Sequence, residues 1–317
     1  MNTSNMIMHE GKLCVVPTQI NLDVVGGLCN ANCIMCGINM TKRPPGIMKE
    51  DTFRIIVDKM EIIKEHLEYI SLHFSGEPLL DKGIVDKVGY LKKKGFKGVG
   101  FASNCNLLME IKAEELVMAG LDTIICSVDG FTRETHEKIR VGTHFDTVVK
   151  NIQQCIAVRN RLNGKLKIMV RFIRQELNHH EWEDYKNYWL QWLDPEKGDK
   201  LLRFDVHNMS GVLHETKKVP LQEEEVRPTS NIIICHEINS RMIIMSDGTI
   251  CMCCGDNATT LEALSHLGNI RDRDIINLFN SPQFRLYRGK IDQGLTHELE
   301  LCKTCTIPIS QEYKKVI

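Results

Sequence analysis

Residues 18–36 read TQINLDVVGGLCNANCIMC. The apolar, β-branched run ends in a glycine pair, which predicts a strand over 18–28 leaving a sheet. Three cysteines follow in the loop: Cys29, Cys33 and Cys36. The next stretch, IMKEDTFRIIVDKMEIIKEH, sets Phe53, Ile56, Met60 and Ile63 at helical spacing. Strand, cysteine loop and helix make the first unit of an α/β chain.

The unit recurs. YISLHF, GVGFAS, DTIICSVDG, LKIMVRFI and LLRFDVHN read as strands, with helical patterns between them. Gly95 and Gly120 stop two of these helices, and Phe145, Val148, Ile152 and Ile156 line one face of another. Such alternation implies βαβ crossovers and a parallel sheet of about six units from residue 18 to 208. That is too few for a closed eight-fold barrel and predicts a partial (β/α)6 TIM-like barrel, with its chemistry on the loops after the strands. Residues 1–17 read as an N-terminal extension, 18–213 as the barrel, and the charged, proline-containing 214–230 as a connector. Residues 231–317 form a smaller cysteine-rich unit. There, RMIIMSDGTICMCC places two apolar runs around Asp247–Gly248, a two-residue hairpin signal. A helical stretch interrupted at Pro282 follows.

Composition narrows the classes. The chain's 317 residues can bury a substantial core, and 43% hydrophobic with 26% charged residues is ordinary globular usage. A net charge of −1 gives no electrostatic case for nucleic acid or an anionic membrane as partner. No apolar run approaches the ~20 residues of a membrane span, and the N-terminus has no secretory signal. Thirteen cysteines, an odd and clustered set, point to metal or redox chemistry in a reducing cytoplasm.

Three thiolates can hold three irons of a [4Fe–4S] cluster and leave the fourth open. The same residues taken alone also fit a zinc knuckle, with Cys14 as the nearby fourth ligand. The cysteine spacing and its strand–loop–helix setting resemble the radical S-adenosylmethionine (SAM) superfamily. The elements after the next three strands are similar to those of that family too: SGEP (Ser75, Gly76, Glu77, Pro78), SNCN (Ser103 to Asn106) and SVDG (Ser127 to Gly130), the last followed by Arg140. The resemblance implies that SAM chelates the open iron of a cluster on Cys29, Cys33 and Cys36. An electron from a flavodoxin- or ferredoxin-type reductase then yields a 5′-deoxyadenosyl radical. It also implies that Ser75, Gly76, Glu77 and Pro78 meet the SAM ammonium, and that Ser103 and Asn104 lie near the ribose, with Cys105 standing in for a glycine. Ser127, Asp129 and Arg140 would approach carboxylate and ribose, and Met35 the adenine. Turn, surface-charge and core roles are the ordinary alternatives, as helix capping is for Asn178.

The last six cysteines resemble the SPASM/twitch extension of that family, as do LGNI at 267–270 and the helix after it. The resemblance implies one auxiliary [4Fe–4S] cluster on Cys235, Cys253, Cys302 and Cys305; a zinc site on the same four is the alternative. In a regular strand Cys251 and Cys253 share a face and Cys254 takes the other. Cys251 and Cys254 are candidate hydrogen-atom donors or inert buried thiols. Cys126 and Cys155 read as core residues. Arg171 is a candidate base, as are Arg203 and the histidines.

The expected activity is therefore hydrogen abstraction from a small molecule: a sugar, nucleotide sugar or aminocyclitol. Loss of an electron and a proton would make the enzyme an oxidoreductase; return of hydrogen from a cysteine would make it an epimerase. Only 28 residues precede Cys29, too few for the leader-binding domain that peptide maturases often carry; this favours a small molecule and leaves a peptide-modifying maturase, epimerising or crosslinking, as the alternative. A non-catalytic iron–sulfur or zinc protein is the further alternative, and it predicts no SAM site.

Overall fold

The computed structural model describes residues 5–41, 43–210, 235–256, 267–307 and 315–316. Six parallel strands form the barrel: β1 (Gln19–Leu22), β2 (Tyr69–Ser71), β3 (Val99–Ser103), β4 (Thr123–Ser127), β5 (Lys167–Arg174) and β6 (Lys200–Asp205). They lie in chain order, with helices α1 (Glu50–Met60), α2 (Ile84–Lys93), α3 (Glu110–Met118), α4 (Arg133–Ile139), α5 (Phe145–Arg161) and α6 (Trp182–Trp189) in the crossovers. This is the expected partial barrel.

Burial along β5 shows which way side chains point. Ile168, Val170, Phe172 and Arg174 are buried, while Met169, Arg171 and Ile173 between them are half-buried. Phe172 packs on Trp182 and Tyr185 of α6, so the buried set faces the helices. The alternate set, with Arg171 beside Ser127, faces the barrel interior.

Three features differ from the sequence reading. The strand expected over 18–28 stops at Leu22, because Asp23 turns its carboxylate to Ser75; Val25–Gly26 then pairs with Gly46–Ile47. Residues 6–15, in the expected extension, form a hairpin of Met6–His9 and Lys12–Val15. The hairpin of β7 (Arg241–Ile244) and β8 (Ile250–Cys251) has a longer turn than its Asp–Gly signal suggests. Met245 N–H donates to Thr249 O at 2.8 Å, leaving Ser246, Asp247 and Gly248 in the loop, with Gly248 at φ 87°. A left-handed glycine closing a three-residue loop explains the extra residue.

The sheet also extends beyond the barrel. β7 pairs parallel with β1, and β9 (Lys315–Val316) pairs antiparallel with β6, giving nine strands. The helical stretch near the C-terminus is two helices, Ile275–Phe279 and Pro282–Asp292, with Pro282 in the first turn of the second. The connector expected over 214–230 lies outside the described residues. Among the described residues no helix is long and apolar enough to cross a membrane.

Candidate functional site

The three-cysteine loop is held from across the barrel mouth. Arg140 and Val141 pair antiparallel with Cys33 and Asn32, and the Ile34 N–H donates to Ile139 O at 3.0 Å. The Arg140 guanidinium sits 3.7 Å from the Cys33 sulfur. Asn104 Nδ2 lies 3.8 Å from the Cys29 sulfur and donates to Asn30 at 2.8 Å. Cys29 is exposed, Cys33 and Cys36 are half-buried, and Met35 between them is half-buried too. Burial pushes the Cys29 thiol up to about 11 and raises Cys33 and Cys36, and the neighbouring thiols add to the shift at Cys29 and Cys33. Grouped thiols of this kind ionise together only around bound cations, so the donor set fits an iron–sulfur cluster.

The SGEP and SNCN elements lock onto each other. Glu77 is buried; one carboxylate oxygen accepts from Ser103 Oγ at 2.7 Å and Leu79 N–H at 3.1 Å, the other from Asn104 N–H at 2.9 Å. Glu77, expected at the SAM ammonium, thus ties two loops together. Pro78 starts the short helical turn that follows. Ser75 is fixed by Asp23, which accepts its N–H at 2.9 Å and its hydroxyl at 2.8 Å. At Gly76 an added Cβ would lie 2.1 Å from Val25 O and 2.5 Å from Leu28 O. Cys105 takes the glycine-like conformation itself, at φ 60°, with its N–H on Ser103 Oγ at 2.9 Å; the local cost is about 1 kcal/mol.

The SVDG element carries a buried ion pair. Asp129 and Arg140 meet at 2.7 Å, and the other Asp129 oxygen accepts the Ile173 N–H at 2.6 Å. Asn178 donates to both Asp129 O and Ile173 O, a bridge between strand ends rather than a side-chain helix cap. His136 closes a ring: Asp129 N–H donates to its Nδ1 at 3.3 Å, its Nε2 faces Thr143 Oγ1 at 3.0 Å, and Thr143 donates to Arg140 O at 2.7 Å. The Asp129 bond requires an unprotonated Nδ1, so the imidazole is neutral with its proton on Nε2.

Arg171 donates to Ser127 Oγ at 2.7 Å. Burial, with Arg171 and Arg140, pushes His73 down to about 3, and burial with Arg171 pushes His207 down to about 4. Arg203 faces the other way, over the Trp182 ring at 5.2 Å. His179, His180 and His236 are exposed. Asp23, His73, His136 and Thr143 were not singled out by sequence; only the polar residue ending an apolar strand gave a hint of Asp23.

These titrations predict an acid limit. Burial holds His136 near 3, like His73, against an ordinary value of 6.5. Below that value the unfolded chain takes up protons that the folded chain refuses, so stability falls with pH. Asp23, raised to about 6 by burial, works the other way, because the folded form protonates first. The histidines outnumber it, and the net loss from pH 6.5 to 5 should be on the order of 2 kcal/mol. Urea midpoints for wild type and His136→Gln check this; a wild-type midpoint flat over that range refutes it.

In the C-terminal unit, Cys235 lies within electrostatic reach of Cys254 and Cys305, Cys302 of Cys235 and Cys305, and Cys253 of Cys254 and Cys235. Burial pushes Cys235 and Cys302 up to about 12. The four cysteines assigned by resemblance therefore converge, and Cys254 joins them. The strand ends at Cys251, so alternation no longer separates Cys253 from Cys254. Cys251 is buried among Ile243, Met245 and Phe74, its S–H on Cys253 O at 3.4 Å. Among the described residues no three His, Cys, Asp or Glu side chains close into a single-ion site.

Residues 24–171 match the model of the radical SAM superfamily, and 235–306 that of an iron–sulfur cluster-binding domain, SPASM. The chain is similar to a probable GTP 3′,8-cyclase of Saccharolobus islandicus, 27% identical over 155 residues, 49% of this chain and 47% of that protein. It thus spans about half the length of such curated relatives. A probable GTP 3′,8-cyclase of Methanococcus maripaludis is 24% identical over 69% of this chain and 70% of its own. Among solved structures, BtrN in complex with AdoMet and 2-DOIA shares the fold at TM-score 0.62 and 17% identity, over 95% of this chain and 99% of that one. Streptococcus suis SuiB bound to precursor peptide SuiA does so at TM-score 0.65 and 11% identity, over 86% and 66%.

Proposed function

Since the chain belongs to the radical S-adenosylmethionine superfamily and carries a SPASM-type iron–sulfur domain, we propose that it abstracts hydrogen from a small molecule and leaves it oxidised or epimerised. The substrate classes are a sugar, a nucleotide sugar or an aminocyclitol. When bound, a [4Fe–4S] cluster on Cys29, Cys33 and Cys36 with SAM at its remaining iron supplies one-electron cleavage of SAM to a 5′-deoxyadenosyl radical. Asp129 orients Arg140 toward Cys33, while Asp23 and Glu77 hold the SGEP and SNCN loops in register. Cys29, exposed on the loop, gives a flavodoxin- or ferredoxin-type donor its point of approach. Cys235, Cys253, Cys302 and Cys305 hold the auxiliary cluster, with the Cys254 thiol beside it as the better-placed hydrogen donor; Cys251 is enclosed. A guanidinium stays protonated at neutral pH, so Arg171 orients the substrate rather than removing its proton.

The observation that carries this reading is convergence. Arg171 lies within electrostatic reach of Cys33, Arg140 and Asp129, which puts the barrel interior next to the cysteine loop. A peptide substrate is the second reading, supported by the fold shared with SuiB bound to its precursor peptide. Anaerobic reconstitution, followed by assay with dithionite and SAM, should give two clusters and 5′-deoxyadenosine. A protein that takes up zinc but no iron, and forms no 5′-deoxyadenosine, would refute it.

A further inference from the structure

We propose that the barrel interior recognises an anionic, acceptor-rich group of the substrate, a carboxylate or a phosphate, at Arg171 and Tyr69. This rests on the reading above that a small molecule occupies the barrel, and it narrows which kind.

The interior holds donors that nothing satisfies. Arg171 projects inward from β5, its Nε is buried without a partner, and among the described residues it makes no ion pair. Tyr69 projects inward from β2 with its hydroxyl buried beside Ser71 and without a hydrogen bond of good geometry. The two lie within electrostatic reach of each other. The nearby carboxylates are already engaged: Asp129 by Arg140 at 2.7 Å, Asp122 by Lys92 at 2.6 Å, Glu237 by Arg241 at 2.7 Å, and Glu77 by Ser103 and Asn104. His73 and His207 are neutral and supply no negative charge.

The wall therefore carries a guanidinium that makes no ion pair of its own among the described residues, although Asp129 lies within electrostatic reach, and whose Nε is free to donate. A buried cation left in that state is costly. An oxyanion meets both needs, because a guanidinium binds carboxylate and phosphate oxygens in parallel and a phenol O–H can donate to a third. An ammonium at the same place would meet like charge. Among the proposed substrates, this selects a nucleotide sugar, or a sugar that bears a phosphate or carboxylate, over an aminocyclitol.

The test measures melting of the reconstituted holoprotein, with and without saturating SAM, at constant ionic strength. Sodium phosphate, sodium acetate and methylammonium chloride are compared with sodium chloride. Phosphate or acetate at ten times its Kd should raise Tm by about 2–3 °C, and the better anion identifies the source; methylammonium should give no rise. Arg171→Gln should abolish the shift, and Arg171→Lys and Tyr69→Phe should reduce it. If Arg171→Gln does not fold, Tyr69→Phe carries the comparison. An equal shift in the variants, no shift with either anion, or a shift seen only without SAM would overturn the proposal. The last result would mean that Arg171 serves the SAM carboxylate. 5′-Deoxyadenosine formation by the wild type is scored separately, so failure of the radical chemistry and failure of the anion site are distinguishable.

Discussion

Arg140→Gln should destabilise the protein by about 3–5 kcal/mol and leave the three-cysteine loop unable to retain a cluster. Asp129 is fully buried, and Arg140 supplies its cation at 2.7 Å. Glutamine would leave a buried carboxylate whose remaining support is the Ile173 N–H on its other oxygen. The guanidinium 3.7 Å from the Cys33 sulfur would go as well, and the backbone pairing of Arg140 with Cys33 would lose its anchor. The double variant Asp129→Asn/Arg140→Gln removes both charges and should cost less than Arg140→Gln alone. That inequality marks a true pair in a double-mutant cycle. Urea unfolding and iron content after reconstitution measure the two effects. Additive costs, or full iron retention in Arg140→Gln, would show that the pair does not organise the site.

The chemistry of this site was legible where it is local in sequence. Three cysteines within eight residues and short polar elements at strand ends need no long-range contact to be seen. The barrel was legible for a similar reason: strands and helices of ordinary length alternate, and their periods differ. What sequence did not show depends on pairs distant along the chain. Asp23 anchors Ser75 across 52 positions, and Arg241 in β7 lies beside Gln19 across 222. Neither pairing leaves a periodic trace. The apolar Val24–Val25 made a continuous strand plausible, although Asp23 ends it. The Asp247–Gly248 dipeptide identified a turn but not its length, since a left-handed glycine serves loops of two or three residues. Cys253 and Cys254 were separated by a rule that holds only while the strand continues, and the strand stops at Cys251.

Two glycines should respond in opposite ways to alanine, and the contrast tests whether the SGEP loop is as tightly built as its geometry indicates. Gly76→Ala should cost about 3 kcal/mol, at the upper end for overpacking, and abolish SAM binding. The added Cβ would meet two backbone oxygens, Val25 O at 2.1 Å and Leu28 O at 2.5 Å, which no rotamer change can move. Leu28 O already accepts the Glu77 N–H at 2.9 Å. Moving it would break that bond and displace Cys29, the next residue, so damage should pass directly from the SGEP loop to the cysteine loop. Gly89 lies inside α2, where an added Cβ meets nothing within 4 Å. Gly89→Ala should therefore stabilise the protein by about 0.5–1 kcal/mol through helix propensity alone, with SAM binding unchanged. Urea midpoints and equilibrium binding of SAM to the reconstituted protein read both effects. If Gly76→Ala keeps wild-type SAM affinity and iron content, the close approach of these two loops is not what positions the cofactor. The register of Ser75, Glu77 and Asn104 would then have to be maintained by Asp23 and Ser103 alone.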